Sequence, residues 1–523
     1  MANQITEVRL LSVPLENDYK HTLYFESPEA QASYFIGKTV FSELDFSYQR
    51  KEGYIRYPKH FDDLQNCNYI MYKNNAYSTK WYYAFITEMA YKGDETTWIY
   101  FETDVIQTYL FDYIVKPSFV EREHVNDDTV GLHTIPENLE AGEFVATYSQ
   151  KVSELSDLRI VMGVTEFNDD GKYYGTRYNG LYSGISYLGF DNDETHQINS
   201  ALKEYAEAGA AEAINSLFIA PKFLVSIKED SSGNPTGERL VNGSEEPAKL
   251  TQNISKTNRN YSFTVNNNKL KCFPYKYILV SNNNGASAVY HYEEFSENTM
   301  QFEIRGVLTP GCSIRIIPKK YKGVDYNEEE GLNLGKYPIC NWASDVYTNW
   351  LTQNGTNIAL NYITGGAQII GGAIATFATG GLASAVGGAS IAGGVSRIAN
   401  QVAQTHQMSF TPPQAQGNTN CGDVVCQSGN NTFTFYMMSI KEEYAMMIDN
   451  YFNMFGYKCN RVKVPLSNHR ANYWYTKTID VNIDGAIPMK DMQKIKDCYN
   501  TGLTFWKNPE NIGNYNVSNN IRS

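Results

Sequence analysis

The chain has 523 residues, 42% of them apolar and 19% charged, with 44 Lys and Arg against 57 Asp and Glu and a formal net charge of −13. At roughly 150 residues per domain there is room for several domains. The acidic balance excludes a protein that grips nucleic acid through a basic face, though not one past which nucleic acid slides. Aromatic residues make up 14% of the chain, 40 of them Tyr, a composition that favours pleated, half-buried strands over disorder.

The N-terminal stretch carries Glu7 and Arg9 and no apolar run, so no signal peptide is expected. The eight cysteines include no C-x-x-C pair, which leaves a zinc ribbon or redox motif without support. The thiols are expected to be mostly free, in a chain made in a reducing cytoplasm. Cys421 and Cys426, the most closely spaced pair, are the candidate disulfide.

In chain order, residues 1–125 read as one unit. A strand-like run precedes Pro14. Ser27-Pro28-Glu29 then combines an N-cap, a proline at the first helical position and an acid in the first turn, which predicts a helix to about Ile36 that stops at Gly37. Strand-like runs follow at 39–50, 68–74, 80–92 and 96–105. The last two are joined by Lys92-Gly93-Asp94-Glu95, a hairpin turn. Residues 126–336 read as a β-rich insertion with one long helix over 198–222, where Leu202, Tyr205, Ala206, Ala213, Ile214, Leu217 and Phe218 keep a helical period up to Pro221. Glu229–Asn260 is polar and Gly-containing and reads as an exposed loop or hairpin. In 441–523, Tyr444, Met447, Ile448, Tyr451, Phe452 and Phe455 form one helical core stripe. Met489, Met492, Ile495 and Tyr499 form another, after Pro488. The fold class is mainly β with some α.

Within 337–440 the composition breaks. Val346 to Ser396 contains no Lys, Arg, Asp or Glu, and up to Ile440 the only formal charges are Arg397 and Asp423. Glycines come in doublets: Gly365-Gly366, Gly371-Gly372, Gly380-Gly381, Gly387-Gly388 and Gly393-Gly394. Among them stand Ile363, Ile369, Ile370, Ile374, Phe377, Leu382, Val386, Ile391 and Val395.

Three readings fit this segment: a flexible linker, a buried hairpin packed through its small residues, and a conditionally exposed membrane-active loop. The apolar content is high for a linker. The glycines cost a helix in water about 1 kcal/mol each relative to Ala, roughly 10 kcal/mol together. In a bilayer the same backbone is driven to satisfy itself internally. The large apolar side chains contribute about −0.3 to −0.6 kcal/mol each to insertion, a marginal sum for one copy and a decisive one for several tethered copies. The membrane-active reading is therefore favoured, with 357–407 as the core of the loop. No run is long and apolar enough for a permanent span.

No nucleotide-binding loop, nucleophile elbow or zinc-protease motif is present. Gly331-x-x-x-Gly335-Lys336 reads as a turn, and His124 and His133 read as two loop histidines. No catalytic residue, metal ligand or cofactor is expected. A cell-wall hydrolase and a receptor-binding adhesin remain the rival readings.

Several strings carry a family resemblance. They are Val13-Pro14-Leu15-Glu16-Asn17-Asp18-Tyr19-Lys20, NYIMYKNNAYSTKWYYAFITEMAYK, YFETDVIQTYLFDY, SFVEREHV, YPICNWASDVYTNWLTQN and KDCYNTGLTFWKNPENIGNY. They resemble the tail knob (distal tail tube) proteins of Salasmavirus-like short-tailed phages of Gram-positive bacteria, most densely over 13–125 and 337–515. The resemblance implies a hexameric hollow cylinder of β-barrel tube domains, contributed by 1–125 and completed by 441–523, at the distal end of the virion tail. It also implies an upstream tail tube protein as neighbour, apolar loops that block the lumen and later meet host cytoplasmic membrane lipid, and genomic DNA that passes without specific binding.

Overall fold

A computed structural model describes residues 6–44, 53–74, 78–165, 176–191, 195–208, 213–229, 231–232, 239–256, 261–337, 339–341, 416–418 and 430–522. The chain is mostly β with some helices. It divides into two compact units. One comprises Met1–Gly142, Ser262–Leu270 and Glu442–Ser523; the other comprises Glu143–Tyr261 and Lys271–Lys441.

The first unit joins the two ends of the chain. Its larger sheet is antiparallel, in the order Thr39–Glu43, Thr6–Leu11, Tyr69–Asn74, Tyr82–Gly93, Thr96–Thr103 and Tyr54–Tyr57. Tyr82–Gly93 and Thr96–Thr103 turn at Asp94-Glu95, with Gly93 opposite Thr96, as the hairpin signal predicts. A second sheet interleaves both ends: His21–Leu23, Leu503–Trp506, Tyr473–Ile479, Ser118–Glu123 and Tyr457–Lys463. The helix Pro28–Gly37 starts where the sequence places it, with the Ser27 hydroxyl accepting from Ala30 N at 3.2 Å. Its Phe35 stacks on Tyr69 at 5.4 Å, inside a core that also takes Trp474, Ile495 and Trp506 from the far end of the chain.

Helix Glu442–Phe455 is stopped by Gly456, whose φ of +64° and close approach to the Glu123 carbonyl admit no side chain. On this helix Ile448 and Phe452 are buried as expected, but Met447 is 68% exposed. On Met489–Thr501, Ile495 and Tyr499 are buried, but Met489 is 88% exposed. Periodicity places a residue on a face; the partner decides how far round the helix that face is covered.

Buried charge ties remote segments into this unit. The Glu137 carboxylate is fully enclosed and accepts from the Arg122 guanidinium, the Lys269 ammonium and, at 3.0 Å, Lys458 N. Asp449 receives the backbone N–H groups of Asn266 and Asn267, both at 3.1 Å. These contacts fasten Ser262–Leu270 to the two chain ends. His124, expected in a loop, is buried directly after the strand Ser118–Glu123. Its Nδ1 accepts from Tyr475 N at 2.7 Å, which leaves Nε2 to donate to the Asn453 carbonyl at 3.0 Å. Burial, followed by the Arg470 charge, lowers its pKa to about 3.

The second unit contains three larger sheets around one aliphatic and aromatic core. Two elements differ from the sequence expectation. The helix over 198–222 stops early: the observed helix is Thr195–Glu207, and Ile214–Pro221 is a strand. Leu217, Phe218 and Ile219 are all fully buried although successive side chains point to opposite faces, so both faces of this strand, which is paired on both edges, are covered. A short run that is apolar on every side has no period by which strand and helix can be told apart. Within Glu229–Asn260, Ala248–Ser255 pairs along its whole length with Thr299–Val307. Its polar outward residues hide a strand that its partner specifies.

Among the described residues Cys67, Cys272, Cys312, Cys459 and Cys498 are buried free thiols. Cys421 and Cys426 lie outside the described residues.

Candidate functional site

The candidate site is the mount of the uncharged segment. The positions expected to be membrane-active, from Ile363 to Val395, and the glycine doublets from Gly365 to Gly394 all lie outside the described residues. The described residues nearest to it on either side are Asn341 and Gln416.

Asn341 and Gln416 belong to two short strands of the second unit. Strand Ile339–Asn341 continues the sheet from Ile214–Pro221, with Phe218 opposite Ile339 and Ser216 opposite Asn341. Strand Gln416–Asn418 pairs antiparallel to it in the register Ile339↔Asn418, Cys340↔Gly417 and Asn341↔Gln416. Cα atoms paired in this way stand about 4.5–5.5 Å apart. The two strands that flank 342–415 in sequence are therefore paired with each other in a two-strand stem. The stem grows from a buried strand; each fully buried Leu or Phe contributes about 1.5–3 kcal/mol, so the base is anchored in the core.

A second tie lies just outside the stem. Tyr337 is fully buried, and its hydroxyl points at the carbonyls of Leu155 (3.1 Å) and Asn431 (3.3 Å). The residue before the stem is thus bound to a residue after it. Thr432 donates its hydroxyl to the Val152 carbonyl at 2.7 Å. The Asn283 carboxamide donates to the carbonyls of Asn430 (3.1 Å) and Thr432 (2.8 Å). Between these ties Asn431 is buried, and neither side-chain polar atom has a partner among the described residues. Beneath the sheet the Cys312 thiol faces the Ile219 carbonyl at 3.8 Å, and burial pushes its pKa up. It is inert packing rather than a nucleophile.

Chemically this arrangement is a tether. It offers no acid–base pair or cation cluster, and among the described residues no group of His, Cys, Asp and Glu is placed to hold a metal. No described helix is long and apolar enough to cross a membrane. Sequence reasoning found the uncharged segment but missed Tyr337, Asn283 and Thr432 as its anchors. The one available signal was the abrupt composition change near Tyr337; the partners are remote in sequence and carry no local mark.

Comparison with known proteins agrees with this architecture. Residues 242–520 match the model of the C-terminal domain of the tail knob protein gp9 of Bacillus phage phi29. Residues 4–114 match the N-terminus of the caudoviral major tail protein. The chain is 27% identical to the tail knob protein gp9 of Bacillus phage B103 and 27% identical to that of Bacillus phage PZA, each over 99% of both chains. The fold is similar to that of the bacteriophage C1 tail knob protein gp12, with a TM-score of 0.64 at 14% identity over 99% of this chain and 100% of that one.

Proposed function

This chain belongs to the family of the phage phi29 tail knob protein gp9, and on that premise we propose that it builds the distal end of a phage tail tube and opens the host membrane. Proteins of this family are structural components of the virion tail. Here several copies, six by the family resemblance, form a hollow cylinder seated on the upstream tail tube protein. The apolar segment 357–407 of each copy fills the lumen before infection. On contact with the cytoplasmic membrane the segments leave together and line a channel through which the genome is ejected.

One observation carries this reading: the segment without charge from Val346 to Ser396 lies in sequence between two strands that pair antiparallel, Asn341 against Gln416. A closed loop on a fixed base can move in and out without unfolding what carries it. Apolar side chains of this number, exposed in water, would make an aggregation hazard unless sheltered. Passage of DNA is served by repulsion, since a chain of net charge −13 supplies no excess phosphate grip. Tube closure also hides the strand edges that a single copy exposes.

The test is dye release from liposomes by the wild type, Ile370→Asp and a deletion of 357–407, each first checked for ring formation by electron microscopy. A central charge costs insertion about 2.5–3.5 kcal/mol per copy, so Ile370→Asp weakens release and the deletion abolishes it, with rings intact. Release undiminished by the deletion overturns the loop as membrane agent. Loss of rings on deletion shows instead that the segment is permanent core.

A further inference from the structure

The structure assigns a second site to the unit built from the chain ends: we propose that a cleft walled by the C-terminal segment binds a neutral oligosaccharide. The cleft holds about 440 Å³, within the ordinary range for small-ligand sites.

Its walls are fixed. The C-terminal segment runs beside residues 469–473, with Ala471 N donating to Asn520 O and Arg522 N to His469 O, both at 2.9 Å. The Asn519 carboxamide accepts from the N–H groups of Asn472 and Tyr473 (3.0 and 3.1 Å) and donates to Tyr473 O (2.8 Å). Across the cleft stand Asn450 and Asn453, three residues apart and so on one face of helix Glu442–Phe455. Asn266 is held at the rim by its backbone, through Asp449.

The lining is rich in primary amides and nearly balanced in charge. The carboxamides of Asn266, Asn450, Asn516 and Asn520 line the cleft and make no hydrogen bond to any described residue. Each keeps two donors and an acceptor free. Arg470 is the cation: it donates to the carbonyls of Val125 (2.5 Å) and Asn519 (3.2 Å), while its buried Nε has no partner among the described residues. Asp128 is the anion, and its oxygens already accept from Tyr457 Oη (2.7 Å) and Asn268 N (2.9 Å). One guanidinium beside one carboxylate does not make a phosphate or nucleotide site.

Free carboxamides suit hydroxyl groups, because each sugar hydroxyl both donates and accepts. Tyr473 and Tyr515 meet edge to face at 5.3 Å, Tyr515 also packs on Trp506 at 5.3 Å, and the part of its ring left exposed adds apolar surface to the cleft lining, which suits the C–H groups of a sugar. Four exposed amides without partners among the described residues, an orphaned Arg470 Nε and a partly exposed tyrosine ring line one cleft.

The probes are tri-N-acetylchitotriose and maltotriose, tested on the full-length protein by saturation-transfer NMR and calorimetry. The variant N266A/N450A/N516A removes carboxamides that hold nothing in the fold, so its melting is expected to match the wild type; N450A alone is the fallback if it does not. Millimolar binding of either trisaccharide, weakened about tenfold or more in the variant, supports the site. A preference for the acetylated sugar sharpens it to an acetamido-bearing ligand. No binding of either probe at millimolar concentration overturns the proposal, as does binding that the variant leaves unchanged.

Discussion

In the unit formed by the chain ends, Glu123, Glu137 and Asp449 are buried carboxylates, and each receives donors from a segment far off in sequence. In the other unit the buried carboxylate Glu303 pairs with Arg305 two residues on and with Lys319 of the adjacent strand, while remote segments meet through aliphatic and aromatic burial and through neutral hydrogen bonds such as Tyr337 to Leu155 and Thr432 to Val152. Apolar burial is non-directional and scales with area. A buried carboxylate tolerates few geometries, because every unmet lone pair costs free energy. The first unit therefore specifies which remote segments meet by buried charge. The second specifies it by apolar area and neutral hydrogen bonds.

The largest test of this contrast is Glu137→Ala. Removal of the shared carboxylate leaves Arg122 and Lys269 buried without it, and breaking such a pair costs about 3–5 kcal/mol. Urea unfolding should show that loss in the unit containing the chain ends. Limited proteolysis should open first near 262–270, and early cleavage in 143–261 instead would contradict the assignment.

The next effect is pH dependence, from His124. The folded imidazole takes a proton only near pH 3, while the unfolded one takes it below about 6.5. Between those values the unfolded state binds more protons, so stability falls as pH falls, by about 2 kcal/mol at pH 5. Asp104 opposes part of this: burial raises its pKa to about 6, so it protonates first in the folded state. His124→Gln, which keeps a donor and an acceptor, should flatten the acid slope by about that 2 kcal/mol. An unchanged slope in denaturant melts at pH 7 and 5 would rule His124 out as the cause.

A smaller effect is expected at the loop mount. Tyr337→Phe removes the hydroxyl directed at Leu155 and Asn431, at about 1 kcal/mol. Stability should drop slightly while liposome leakage stays at the wild-type level, since the stem remains. Leakage lost together with the hydroxyl would show that this tie takes part in release.

The smallest expected signal is chemical. Burial pushes the thiols of Cys67 and Cys459 up to about 11 and that of Cys498 up to about 12. Peptide mapping after iodoacetamide at neutral pH should find these three unmodified in the folded chain and modified in urea.

Legibility from sequence followed the range of the interaction. The helix Pro28–Gly37 was readable because its cap, its proline and its stop lie within ten residues of one another. The Asp94-Glu95 hairpin and the uncharged character of 346–396 were readable for the same reason: turn chemistry and composition are local properties. The strand Ile214–Pro221 was not, since burial on all sides erases the period that separates strand from helix. Ala248–Ser255 became a strand through its register with Thr299–Val307. The exposure of Met447 and Met489, the burial of His124 and the pairing of Asn341 with Gln416 each depend on residues tens to hundreds of positions away. Such contacts exist only once the chain has closed on itself, because their free energy resides in the partner and leaves no mark in the neighbouring sequence.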